Sequence, residues 1–271
     1  MKRNLLALSL AGACLLPMTS IAETAEPAAT APAAAPANPF TGNVMLASEY
    51  LYRGIAQTRG KPAIQGGFDY AHPSGFYVGA WGSNISWISD GNPAASASLE
   101  LDIYGGYKGS LGDLGYDVGV LTYNYPGNYP DAYTSVAAKP NTTEIYGQLS
   151  WKWLSAKYSY TVSDHIFGWG SSTDAKGSTR GSGYFDLTAT YDLGGGWGVT
   201  GHAGHQTIKH NSLASYSDWK LGVTKDIGVG TVGLSALGTN AKDSCADGQP
   251  YCIGGYETGK NRALLTFSKT L

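Results

Sequence analysis

Five histidines, three cysteines and 20 acidic residues are the raw material for any metal centre or catalytic site in this chain. His202 and His205 stand three apart in a stretch that reads as a strand, so their side chains point to opposite faces and do not close on one metal ion. His72 falls in a turn and His210 in a loop, with no cysteine or carboxylate at ligand spacing beside them. Asp164 and His165 open a long connection and form the one acid–histidine pair placed for hydrolytic work. Adjacent residues alternate faces on a strand, however, and no nucleophile motif surrounds this pair. The glycines of Gly194–Gly198 (GGGWG) lack the Lys-Ser/Thr that completes a phosphate loop, and they read as a hairpin turn. The expectation is a protein that is not an enzyme, with no catalytic residue, metal or cofactor.

The remaining chemistry lies in charged side chains and in two cysteines, and both depend on the elements that carry them. In Leu99–Lys108 (LELDIYGGYK), Leu99, Leu101, Ile103, Gly105 and Tyr107 share one face, while Glu100, Asp102, Tyr104, Gly106 and Lys108 share the other. The same alternation recurs in 143–153, where Ile145, Leu149 and Trp151 oppose Glu144, Gln148 and Lys152. It appears again in 183–193, where Phe185 and Leu187 oppose Asp186 and Thr188. A period of two marks strands with one apolar and one polar face. About twelve such strands are expected, near 43–53, 63–71, 76–87, 98–108, 114–125, 143–153, 155–163, 183–193, 197–208, 216–226, 230–239 and 262–271. Each is close to the roughly 9–11 residues that a tilted strand needs to cross a bilayer.

Short connections, as at 72–75, 109–113, 194–196 and 227–229, alternate with long ones at 54–62, 88–97, 126–142, 164–182, 209–215 and 240–261. That alternation is the pattern of an up-and-down antiparallel transmembrane β-barrel. Greek-key sandwiches have no reason to show it. Many of the aromatics, including Tyr50, Tyr52, Tyr70, Tyr123, Trp151 and Trp219, fall near strand ends, as interfacial girdles require.

Composition agrees. The 271 residues include 38 Gly, 19 Tyr and 7 Trp, and only 14% are charged, against about 25% in an average soluble domain. The mean hydropathy of −0.17 is too low for a polytopic helical membrane protein. A net charge of −2 gives no electrostatic footprint for nucleic acid.

Residues 1–22 read as a signal peptide, with Lys2 and Arg3, an apolar run from Leu5 to Met18, and small Ser20 and Ala22 before the cleavage point. Residues 23–42, rich in Ala and Pro, read as a disordered linker. One barrel domain then fills 43–271. Export leaves Cys245 and Cys252 in an oxidising setting, where a disulfide between them is the default.

Several stretches carry a family likeness: ASEYLYRGIAQTRGKPAIQGGFDY at 47–70, SGFYVGAWGSNISW at 74–87, LELDIYGGYKG at 99–109 and the closing RALLTFSKTL. Together they resemble the TorF family of porin-type proteins of Gram-negative bacteria. The Tyr52-Arg53-Gly54 step and the run at 75–84 are the most specific parts. The resemblance implies an outer-membrane barrel with a pore function. The chain departs from the usual barrel pattern in ending on Leu271 rather than an aromatic, with Phe267 on the same face. That weakens the signal read by the outer-membrane assembly machinery.

The polar-face residues expected to line the lumen are Glu49, Arg53, Asp69, Glu100, Asp102, Lys108, Glu144, Lys152, Lys157, Asp186 and Lys220. The expected function is passive diffusion of small hydrophilic solutes through a narrow, mixed-charge lumen in the outer membrane of a Gram-negative bacterium, with lipid and the assembly machinery as its other partners. The alternatives are a non-conducting structural or adhesion barrel and a soluble periplasmic binding barrel.

Overall fold

The computed structural model describes residues 38–271; the expected signal peptide and most of the expected linker lie outside the described residues. Twelve strands form one closed barrel: β1 (Phe40–Ala47), β2 (Ala63–Ala71), β3 (Phe76–Asn84), β4 (Leu99–Leu111), β5 (Leu114–Asn124), β6 (Thr142–Trp151), β7 (Leu154–Thr161), β8 (Gly183–Gly194), β9 (Trp197–Thr207), β10 (Tyr216–Asp226), β11 (Thr231–Thr239) and β12 (Arg262–Thr270). Every strand pairs antiparallel with its neighbours in sequence, and β1 closes the ring on β12 through registers such as Leu46↔Phe267. This is the up-and-down barrel that the alternation implies. Closure leaves no unpaired edge.

The ends of β1 differ from the sequence reading. It starts at Phe40, inside the stretch assigned to the linker, and stops at Ala47 rather than continuing to residue 53. Residues 48–62 leave the wall instead. Within them Leu51–Tyr52 pairs with Ile55–Ala56 as a small hairpin whose turn residues, Arg53 and Gly54, have φ of 46° and 77°. Positive φ at both central positions marks the turn type that matches strand twist, and glycine at the second position favours it.

The wall is apolar outside and polar inside. Phe68 is 73% exposed and Leu221 59% exposed on the outer surface, while the alternate, inward positions of the strands are buried or half-buried. Many of the buried aliphatic and aromatic residues gather at the long-loop end. There Tyr50, Leu51, Tyr52, Ile85, Ile88, Tyr123, Tyr125 and Tyr133 form one cluster, and Ile55, Ile166, Ile208, Tyr216 and Tyr251 a second. The hairpin contributes to both. Two short helices, α1 (Trp87–Gly91) and α2 (Asp131–Thr134), lie in the long loops of that end.

Inside the opposite half, three tyrosines lie against glycines of the neighbouring strand. Tyr104 pairs with Gly79, Tyr77 with Gly106 and Tyr146 with Gly119. A Cβ built on Gly79 would stand 2.4 Å from the Tyr104 ring, so only glycine admits the ring there.

Candidate functional site

The lumen is built from the inward positions of all twelve strands together with the hairpin. The hairpin folds into the barrel: Gly54 lies so close to the wall at β10 and β11 that a Cβ would stand 2.4 Å from Thr239 of β11 and 3.0 Å from Asp218 of β10. It is fastened on several sides. Ala56 donates its backbone N–H to the Thr258 carbonyl at 3.0 Å, and the Gln57 carbonyl accepts from Ser86 and Trp87 at 2.9 and 3.2 Å. Arg59 donates to the Gly254 carbonyl at 2.9 Å and faces Asp90 at 3.4 Å.

Arg53 is the hairpin's central contact. Its two terminal nitrogens approach the two Glu144 oxygens at 3.1 and 2.8 Å, and one of them also donates to Gln206 Oε1 at 2.6 Å. The guanidinium carbon lies 4.1 Å from the centre of the Tyr184 ring, 4.9 Å from Tyr52 and 5.9 Å from Phe167. Such a fork on a carboxylate, with aromatic faces beside it, suits arginine and not lysine. Glu144 is fully buried.

Glu49, also off the strand, accepts from the Gly60 N–H at 2.6 Å and faces Arg262 of β12 at 3.6 Å. Burial raises its carboxyl above the ordinary range, against the lowering pull of Arg262 and of the Gly60 hydrogen bond.

On β4, Glu100 accepts from the Tyr50 hydroxyl at 3.0 Å. Asp102, two residues on and 2% exposed, has an Oδ1 with no hydrogen-bond partner. Asp69 accepts from Tyr104 at 2.5 Å. The Lys108 ammonium lies 5.4 Å from the centre of the Tyr77 ring and that of Lys157 4.0 Å from Tyr146. Asp186 contacts His202 Nδ1 at 3.3 Å and accepts from Thr188 at 2.7 Å. Lys220, half-buried, helps line a cavity of about 10 Å³ with Leu51, Gly54, His202 and Asp218, room for a single water.

Ten of the eleven expected lumen residues thus sit inside the barrel or on the hairpin that enters it. Lys152 is the correction. It occupies the β6–β7 turn at φ 55°, exposed, with its ammonium 4.5 Å from the Trp151 ring. The strand ends at Trp151, and Lys152 falls in phase with its alternation one residue beyond.

Other lumen groups carry no such label in the sequence reading. Asp117 accepts from Tyr77 at 2.7 Å, and the Tyr77 and Tyr146 hydroxyls meet. Asp218 lies 2.8 Å from His202 Nε2. These residues follow the same period of two, and extending the inward list along β5 and β10 finds them. His202 faces inward and His205 outward, as their spacing requires. At the rim, Asp164 faces Arg180 at 3.6 Å and His165 contacts the Lys176 carbonyl, so the adjacent acid and histidine serve separate partners. Cys245 and Cys252 are bridged, with their Cα atoms 4.9 Å apart.

No curated protein matches the sequence. Among solved structures, the chain is similar to the NanC porin at 9% identity and a TM-score of 0.50, covering 85% of this chain and 98% of that one. It is also similar to the KdgM porin at 5% identity and 0.49, covering 85% and 97%. A third is an outer membrane channel from Pseudomonas putida F1, at 11% and 0.47, covering 87% and 95%. At such identity the NanC likeness bears on the fold alone. A family model matches residues 30–271, nearly the whole sequence, and the chain belongs to the family described as bacterial protein of unknown function (Gcw_chp).

Proposed function

We propose that the chain is an outer-membrane channel through which small hydrophilic solutes diffuse, with the hairpin between β1 and β2 setting the opening. The observation that carries this reading is the inversion of the wall, apolar and exposed outside, charged and buried inside. An outer face of this kind is suited to hydrocarbon and poorly suited to water. The chain reaches the outer membrane of a Gram-negative bacterium by export through the periplasm. Its short turns face the periplasm and its long loops the exterior. The stretches at 47–70, 74–87 and 99–109 favour placing it within the TorF group.

Planar-bilayer recording tests the reading on two proteins: the refolded chain, and a variant in which 49–61 is replaced by a short Gly-Ser linker. The variant is expected to give discrete conductance steps. If neither protein gives channel events, the pore reading falls and the barrel remains. One observation favours a non-conducting structural barrel instead, namely the closeness with which the hairpin fills the lumen around Glu144 and Asp102. Silence from both proteins would select that alternative.

A further inference from the structure

The surroundings of Arg53 form a complete recognition site for a guanidinium ion. Glu144 supplies a carboxylate fork, Gln206 a third acceptor, and Tyr184 and Phe167 aromatic faces at 4.1 and 5.9 Å. All four come from the wall or from the loop at 162–182 and not from the hairpin, so the pocket outlasts the hairpin's departure. Arg53 itself is held at φ 46°, in the left-handed region that disfavours any residue but glycine. Its neighbourhood is rich in acid. Glu100 and Asp102 are buried on β4, Asp218 lies beside Gly54, and the Asp102 Oδ1 has no hydrogen-bond partner. With Arg53 withdrawn, a fully buried Glu144 faces the lumen without its counterion, and the replacement that satisfies it is cationic and planar.

We propose that this pocket is a binding site for a guanidinium or alkylguanidinium solute, and that Arg53 is a tethered stand-in that occupies it until free solute displaces the hairpin. The pocket itself stands independently of the pore, while displacement as an opening step rests on the channel reading above.

The probe is methylguanidinium, and the variants are Arg53→Gly, which suits the positive φ, and Arg53→Gln. Retention of the barrel is checked by heat-dependent electrophoretic mobility. Calorimetry on the detergent-solubilised proteins is expected to show saturable binding to whichever variant folds. Binding to the wild type, whose site is filled, and to the same variant carrying Glu144→Gln is expected to be at least about tenfold weaker, as loss of a charged hydrogen-bond partner implies. Folded variants that bind no more tightly than the wild type, or binding indifferent to Glu144→Gln, would overturn the proposal. Bilayer recording separates the two readings. Binding without channel events in Arg53→Gly removes the pore and keeps the site. Channel events in Arg53→Gly without saturable methylguanidinium binding keep the pore and remove the site.

Discussion

Arg53 and Glu144, 91 residues apart in sequence, meet inside the barrel as a two-point ion pair with nitrogen–oxygen distances of 3.1 and 2.8 Å. One partner belongs to the hairpin and the other to β6, on the far side of the ring from β1. The pair therefore ties the hairpin to the opposite wall.

Glu144→Ala leaves the Arg53 guanidinium buried without its carboxylate, a loss of about 3–5 kcal/mol for a pair of this kind. The expected result is release of the hairpin with the barrel intact. Trypsin should then cut after Arg53 or Arg59, while the wild type stays protected there. A Glu144→Ala hairpin that remains protected would show that its other contacts, the apolar ones of Tyr50 and Leu51 and the hydrogen bonds of Ala56, Gln57 and Arg59, hold it without the ion pair.

Gly79→Ala sets a methyl 2.4 Å from the Tyr104 ring. Forcing the ring aside is expected to cost about 1–3 kcal/mol, as overpacking does elsewhere. The cost should largely disappear in a Tyr104→Ala background, because the two positions share one space. Urea titration of the four proteins of this cycle measures the coupling. Additive losses would mean that the ring is not what excludes a side chain at position 79.

Leu187→Lys puts an ammonium on the outer face near the middle of β8, where Leu187 is 40% exposed. Folding into lipid vesicles is expected to lose about 2–4 kcal/mol if that face meets the hydrocarbon midplane. A change near zero, read by urea titration in vesicles, would place this face in water.

Glu49 gives the hairpin a dependence on pH. Its carboxyl titrates above the ordinary range because burial disfavours the charged form. The raised value stabilises the fold while the group is protonated, and that contribution is lost as pH rises through the folded-state value. Glu49→Gln keeps an acceptor for the Gly60 N–H and removes the titration. Relative to the wild type, the Gln variant should gain stability as pH rises from the acid side toward neutrality. A constant difference across that range would mean that Glu49 ionises as it does in the unfolded chain.

The strand positions, the closure into twelve and the inward set on β4, β6 and β8 were legible because a period of two records which face meets which solvent. The hairpin was not. Tyr50 and Tyr52 continue the alternation of β1, so periodicity alone extends the strand through residue 53. The local signal against this is the Arg53-Gly54 pair, which suits a two-residue turn with both φ positive. Lys152 was misplaced in the same way, since a turn residue that falls in phase is indistinguishable from one more strand position. The Arg53 pocket was beyond reach for another reason. Its acceptors lie on β6 and β9, and only closure of the barrel brings them together.

The hairpin also constrains the order of assembly. It is made between the first two strands, yet its partners at Glu144 and Gln206 lie 91 and 153 residues further along. Contacts of such sequence separation form late, since the intervening chain must be ordered first. Until β6 and β9 are in place, Arg53 has water as its only counterpart. Its burial is therefore a marker of a finished ring, and an Arg53 still reachable by solvent identifies a chain whose wall is incomplete or has reopened.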